Sequence, residues 1–267
     1  MPEKTKHDIE QELIGYKGKY EMQVSHDSLS EELSKPELNP IRFDMMRLDH
    51  TLRGVLPGEV VVLSGWTGHG KTELMKTLVS HFAEKGYYPS VFSYEVSKLQ
   101  FMKTYKKLPR FYIPKENEDN NLAWLEQRIY ESKLKYENMK LVFIDHLHFL
   151  IDFAVLAGNS SLTIGVVMRK LKKIAIQHNV VIFVVAHTKK IEADNIPTQS
   201  DIRDSSFVAQ EADTVLMIWR KSEKDSEGEM AVLTNAAKIG VFKNRRNSIQ
   251  AVIKVHYDGE FLMEDDK

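Results

Sequence analysis

Apolar side chains along this 267-residue chain fall into two rhythms that take turns. Short unbroken runs occur at 59–64, 90–94, 140–145, 180–186 and 214–219. Each is of strand length and has polar or turn-forming neighbours, which predicts strands buried on both faces. Between them, at 73–85, 97–107, 121–137 and 161–178, apolar positions recur at helical spacing, the first of these without internal Gly or Pro, which predicts helices. Alternation of the two predicts an α/β fold with a mainly parallel central sheet and helices on both faces. After Arg220 the helical rhythm stops. Runs at 231–235, 238–243 and 249–257 predict an antiparallel C-terminal extension on one sheet edge. Lys221 to Glu229, rich in charge and Ser, reads as an exposed hairpin turn.

Residues 1–40 differ from the rest: Glu, Lys and Ser dominate and large apolar side chains are few. Ile9, Leu13 and Ile14 would line one side of a short helix over 8–16, and Pro36 and Pro40 mark a connector. The expected organisation is an N-terminal arm or linker over 1–40 and one domain over 41–267. Hydrophobic content of 42% and charged content of 28% are ordinary for a soluble globular chain. The absence of cysteine excludes disulfides, Cys-based zinc sites and a thiol nucleophile. Met1 to Glu12 holds no apolar signal core, and no apolar run is long enough to span a membrane. The expectation is a cytoplasmic protein without membrane partners, bacterial or phage-encoded. A net charge of −1 means that any nucleic-acid contact must come from local basic clusters.

The most informative chemistry lies directly after the first apolar run. Gly65-Trp66-Thr67-Gly68-His69-Gly70-Lys71-Thr72 is a complete GxxxxGK[ST] phosphate-binding loop, set between a predicted strand and a predicted helix. Its glycines let backbone N–H groups turn inward around phosphates, and the helix start adds its positive dipole end. Lys71 would reach the β- and γ-phosphates of ATP, and the Thr72 hydroxyl would ligate Mg²⁺. Three later strands end in polar groups that the C-terminal edge of a doubly wound sheet would gather into one crevice. Leu141 to Asp145 has the Walker B form, making Asp145 the second metal-side residue. Val91 to Glu95 ends in a carboxylate suited to polarise the attacking water. Val180 to His187 ends in an imidazole placed to touch the γ-phosphate.

Taken together, the motifs resemble the RecA-like motor domain of the DnaB family of replicative ring helicases. Leu48 to Glu59 is similar to the family's entry segment, and Ser93-Tyr94-Glu95 to its catalytic-Glu strand. Ala186-His187-Thr188-Lys189-Lys190 resembles the sensor of the branch that holds phage helicases and mitochondrial Twinkle, where DnaB itself has a Gln. Ser200 to Ser206, Gln210 to Asp213 and Lys243-Asn244-Arg245 resemble three further family motifs, in order and spacing over about 41–263.

The resemblance implies a hexameric ring with active sites between subunits. One subunit would supply the phosphate loop, Asp145, Glu95 and His187, and its neighbour an arginine finger, Arg245, assisted by Lys243. Arg220 and Tyr257 would sandwich the base. Loops over 152–163 and 189–203 would line the channel for single-stranded DNA, with Lys189, Lys190 and Arg203 on phosphates. Arg169, Lys170, Lys172 and Lys173 read instead as a solvated helix face. Family members carry an N-terminal helical domain or a primase; here about 40 residues precede the motor, and a primase or other replisome protein is an expected partner. The leading function is an ATP-dependent DNA helicase or translocase. Alternatives are a RecA-like DNA-binding ATPase switch without unwinding, a helicase-accessory protein and, least in keeping with Lys243 and Arg245, a small-molecule kinase.

Overall fold

The strands in chain order are β1 (Val60–Gly65), β2 (Ser90–Ser93), β3 (Leu141–Asp145), β4 (Val181–His187), β5 (Thr214–Lys224), β6 (Ala231–Asn244), β7 (Ala251–Tyr257) and β8 (Leu262–Glu264). The helices are α1 (Met46–Leu52), α2 (Lys71–Glu84), α3 (Lys98–Lys103), α4 (Leu122–Lys135), α5 (Ser160–Gln177) and α6 (Ser205–Glu211). The computed structural model describes residue 25 and residues 39–115, 121–150, 160–188, 197–202, 205–224 and 231–265. All but positions 25 and 39 belong to the compact unit Pro40–Lys267. The helix expected over 8–16 lies outside the described residues.

Among the described residues, all eight strands form one sheet, ordered β2-β3-β4-β1-β5-β6-β7-β8. Pairing from β2 through β5 is parallel; β5 to β8 pair antiparallel. The α/β fold with an antiparallel C-terminal extension is therefore as the sequence predicts. The phosphate-loop strand β1 lies between β4 and β5, so β4 separates it from β3. Strand side chains alternate between two cores, following the period of two. Leu63, Phe143 and Phe183 pack with Leu74, Leu78 and Phe82 of α2. Phe143 and Phe183 stack with ring centroids 4.5 Å apart. Val62, Ile144 and Val184 face the other way, onto Leu125 and Ile129 of α4 and Met168 and Leu171 of α5.

Several boundaries differ from expectation. The third helix stops at Lys103 rather than near 107. Thr104 Oγ1 donates to Phe101 O at 2.7 Å, and Tyr105 turns inward against Phe101 and Phe111. The chain then meets Pro109, which disfavours helix in the residue before it. Lys221 to Lys224 continue β5 instead of opening a turn; residues 225–230 lie outside the described residues. The runs at 231–235 and 238–243 are one strand, β6. α1, α6 and β8 were not foreseen. α1 is held from far away: Glu264 accepts the N–H groups of Arg47 (2.8 Å) and Leu48 (3.0 Å).

Candidate active site

β1 ends at Gly65, whose φ of 150° and position against the Ile218 carbonyl leave no room for a side chain. Gly68 and Gly70, at φ 79° and 100°, carry the loop around to the start of α2. His69 N–H donates to Trp66 O at 3.1 Å, and Leu74 N–H takes up Gly70 O at 2.8 Å, so the turn passes directly into helix. Lys71 is buried, and its Nζ donates to Gly65 O and Trp66 O, each at 3.0 Å. Burial lowers the Lys71 pKa, opposed by the carboxylates of Glu95 and Asp145. The ammonium thus waits in the loop on two carbonyls that phosphate oxygens can replace.

Asp145 closes β3, in register with Ser93 of β2, and is 2% exposed. Among the described residues none donates a hydrogen bond to its Oδ1. Burial, then the charge of Glu95, raises its pKa to about 6, with Lys71 opposing. A buried carboxylate oxygen lacking a partner, beside a phosphate loop with a threonine, fits a hydrated Mg²⁺. Thr72 and Asp145 are the residues that would hold it.

A cavity of about 400 Å³ opens in front of the loop. It brings together Thr67 to Thr72 with Glu95, His187, Arg220 and Tyr257. Glu95 and His187, from the ends of β2 and β4, approach to 4.0 Å between Oε2 and Nε2. Arg220 is anchored to β6: its Nε donates to Thr234 O (2.7 Å) and Nη2 to Leu233 O (3.0 Å). Its backbone N–H donates to His69 Nδ1 at 3.0 Å, tying β5 to the phosphate loop. Burial and the charges of Arg220 and Lys71 lower the His69 pKa, so the ring accepts this bond as the neutral form. Asp145 does not line the cavity; it stands behind, within electrostatic reach of both Glu95 and Lys71.

Lys243 and Arg245 lie elsewhere. In the antiparallel pairing Lys243 faces Val215 at the start of β5, whereas Ala237, beside the cavity, faces Arg220. They therefore stand at the opposite edge of the sheet from the phosphate loop. Lys243 Nζ donates to Ala209 O (2.6 Å) and Gln210 O (3.0 Å). Arg245 is half exposed, its Nη1 3.1 Å from Asp213 Oδ1. Arg246 belongs to the fold, pairing with Glu59 at 3.1 Å and donating to the carbonyls of Leu52 and Gly54.

Asp213 is a buried node that the sequence reading took only as part of a motif. Its Oδ2 accepts from Val60 N–H (2.8 Å) and Lys172 Nζ (2.7 Å). Lys172, expected on a solvated face, is thus a correction: it also donates to Gly58 O at 2.8 Å and pins α5 to β1. The helical period alone did not reveal an acid waiting under one basic position. His146 was likewise missed, although it follows Asp145 in sequence; its ring lies 3.9 Å from that of His187. Lys189, Lys190 and Arg203, the DNA contacts expected, lie outside the described residues, as do 152–159 and 189–196.

Fold and site together define a RecA-like P-loop NTPase. The model of the DnaB-like helicase C-terminal domain matches residues 102–264, more than half of the chain. The chain belongs to that family. A probable replicative DNA helicase of Trieres chinensis is 24% identical over 265 residues, covering 85% of this chain and 57% of that protein. A replicative DNA helicase DnaB of Buchnera aphidicola is 24% identical, covering 82% and 54%. The chain thus spans little more than half the length of these relatives. Among solved structures, an ATPase domain matches with a TM-score of 0.75 at 17% identity, covering 91% of this chain and 98% of that one. A DnaB-like replicative helicase, described with its interactions with primase, matches with a TM-score of 0.74 at 15% identity, covering 96% and 70%. Among the described residues no helix is long and apolar enough to cross a membrane.

Proposed function

We propose that this chain is an ATP-dependent DNA helicase or translocase of the DnaB type, which hydrolyses ATP between copies of itself and moves on single-stranded DNA. The observation that carries this reading is the division of the machinery. Phosphate loop, Glu95, His187, Arg220 and Tyr257 share one cavity, while Lys243 and Arg245 stand at the far edge of the sheet. A ring brings the far edge of one copy to the cavity of the next, where Arg245 meets the γ-phosphate and Lys243 supports it.

In the chemistry proposed, Lys71 leaves the Gly65 and Trp66 carbonyls for the β- and γ-phosphate oxygens. Backbone N–H groups of the loop hold the same oxygens. Glu95 orients a water for in-line attack and takes its proton. His187, within reach of Glu95, contacts the γ-phosphate and reports its loss to the segment that follows β4. Mg²⁺, when bound by Thr72 and Asp145, supplies positive charge against the phosphates. Arg220 and Tyr257 clasp the base. Lys189, Lys190 and Arg203 take DNA phosphates in the channel. The arm is residues 1–40 and the motor 41–267. A primase is the proposed protein partner, and the compartment the cytoplasm. Placement nearest the phage and Twinkle branch rests on the segment Ala186 to Lys190.

The test is displacement of a strand from forked DNA with ATP and Mg²⁺. Displacement by the wild type, absent with Lys71→Ala, is expected. ATP-dependent DNA binding without displacement at any concentration would favour the switch reading. A folded wild type that never hydrolyses ATP overturns the assignment.

A further inference from the structure

Three neighbouring strand ends carry a second set of ligands. β2, β3 and β4 are consecutive in the sheet, and their C-terminal ends present Glu95, His146 and His187. One ligand atom from each lies within 4.8 Å of the other two. The His146 and His187 rings are 3.9 Å apart between centroids, inclined at 37°. His187 Nε2 is 4.0 Å from Glu95 Oε2. His146 is buried beneath them, with His148 N–H 3.3 Å from its Nδ1.

We infer that Glu95, His146 and His187 form a zinc site, separate from the Mg²⁺ position, whose filling stops hydrolysis. Two imidazoles and one carboxylate suit a borderline-soft ion, whereas Mg²⁺ prefers oxygen ligands. Tetrahedral zinc, with bonds of about 2.0–2.1 Å, sets ligand atoms roughly 3.3 Å apart. The Glu95 side chain, 48% exposed, can swing to close its gap, and the two imidazoles, 3.9 Å apart between centroids, would splay to about 5 Å around the ion. Three protein ligands leave the fourth position to water. A zinc ion held here takes the Glu95 carboxylate away from the attacking water. The inhibitory part rests on the proposed role of Glu95 in hydrolysis; the binding part does not.

The full chain is titrated with Zn²⁺ under excess Mg²⁺, by calorimetry and by competition with a chromophoric chelator. One tight equivalent is expected. His146→Ala and Glu95→Ala should each weaken it by at least about 10–100-fold, the loss already seen when only an outer-shell partner is removed. Glu95 is at the surface, so its variant keeps the test readable should the buried His146→Ala fail to fold. Equal Zn²⁺ affinity in the wild type and both variants overturns the site. In ATPase assays Zn²⁺ should inhibit the wild type, and His146→Ala should hydrolyse ATP and resist. Zinc bound at this site with undiminished hydrolysis overturns the inhibitory role. A wild type that binds zinc but never hydrolyses ATP refutes the proposed function and leaves the metal site standing.

Discussion

Asp145 carries a charge that its surroundings oppose, and this makes its behaviour measurable. Its folded pKa, about 6, lies above the ordinary value of 3.8. The folded state therefore holds the proton more tightly than the unfolded chain. The associated stability is complete at low pH and is lost as pH rises through about 6. Without nucleotide or metal, Asp145→Asn should leave stability nearly unchanged at about pH 3, below the unfolded value of 3.8, and should stabilise progressively above it. At pH 8 it should stabilise by about 1–3 kcal/mol, since two pKa units correspond to roughly that much. Thermal melts across pH check this, and equal differences at both ends would refute it. The same variant should lose nearly all ATPase activity, so stability and turnover move in opposite senses. Lys71→Ala should also abolish turnover while staying folded. Glu95→Gln should bind ATP with ordinary affinity and hydrolyse it about 10²–10⁴-fold more slowly in single-turnover assays. Most of these residues were legible because a phosphate loop and apolar strands ending in carboxylates are local patterns. Lys172 was not, because its partner, Asp213, is brought beneath α5 only by the fold.

Elements were legible to the degree that their stabilisation is local. The five parallel strands are continuous apolar runs, and α2, α4 and α5 are long enough to show their period. α3 shows its start, a capping box of Ser97 and Gln100, but its end is set by packing of Tyr105. α1 has no side-chain cap of its own beside Met45; its N–H groups go to Glu264 at the other end of the domain. Such a helix cannot be seen in a window of neighbouring residues. The Asp213 node joins three elements in the same non-local way: the first N–H of β1, Lys172 of α5 and Arg245 after β6. Asp213→Ala strands a buried N–H and leaves Lys172 unpaired. It should cost about 2–4 kcal/mol in denaturant unfolding, between the loss of a buried acceptor and the breaking of a buried ion pair. A loss under 1 kcal/mol would mean that water replaces the carboxylate. Lys221→Ala, whose exposed pair with Glu223 spans 2.7 Å, should change stability by no more than about 1 kcal/mol.

For the whole molecule, the proposed reach of Arg245 into a neighbour's cavity would make activity collective. ATPase rate per chain should rise with protein concentration. Mixing Arg245→Ala with Lys71→Ala should restore part of the activity, because some interfaces then hold one complete set. An arginine finger is worth on the order of 10³–10⁵ in rate, so on the proposed role a small restored fraction would be visible. No recovery in a verified mixed oligomer would place the arginine elsewhere. Single-stranded DNA should bind better with a non-hydrolysable ATP analogue than with ADP, and anisotropy should fall steeply with salt. The strand β6 ties these scales together. Near one end, the Leu233 and Thr234 carbonyls grip Arg220 beside the cavity; at the other stand Lys243 and Asn244. Between them Ala237, Ile239 and Val241 enter one core while Phe242 packs on the other. Deleting one residue turns every later side chain to the wrong face and draws the last ones back by about 3.3 Å. Across natural variants of this chain, the exposed positions of β6 should vary more freely than the count of residues from Thr234 to Lys243.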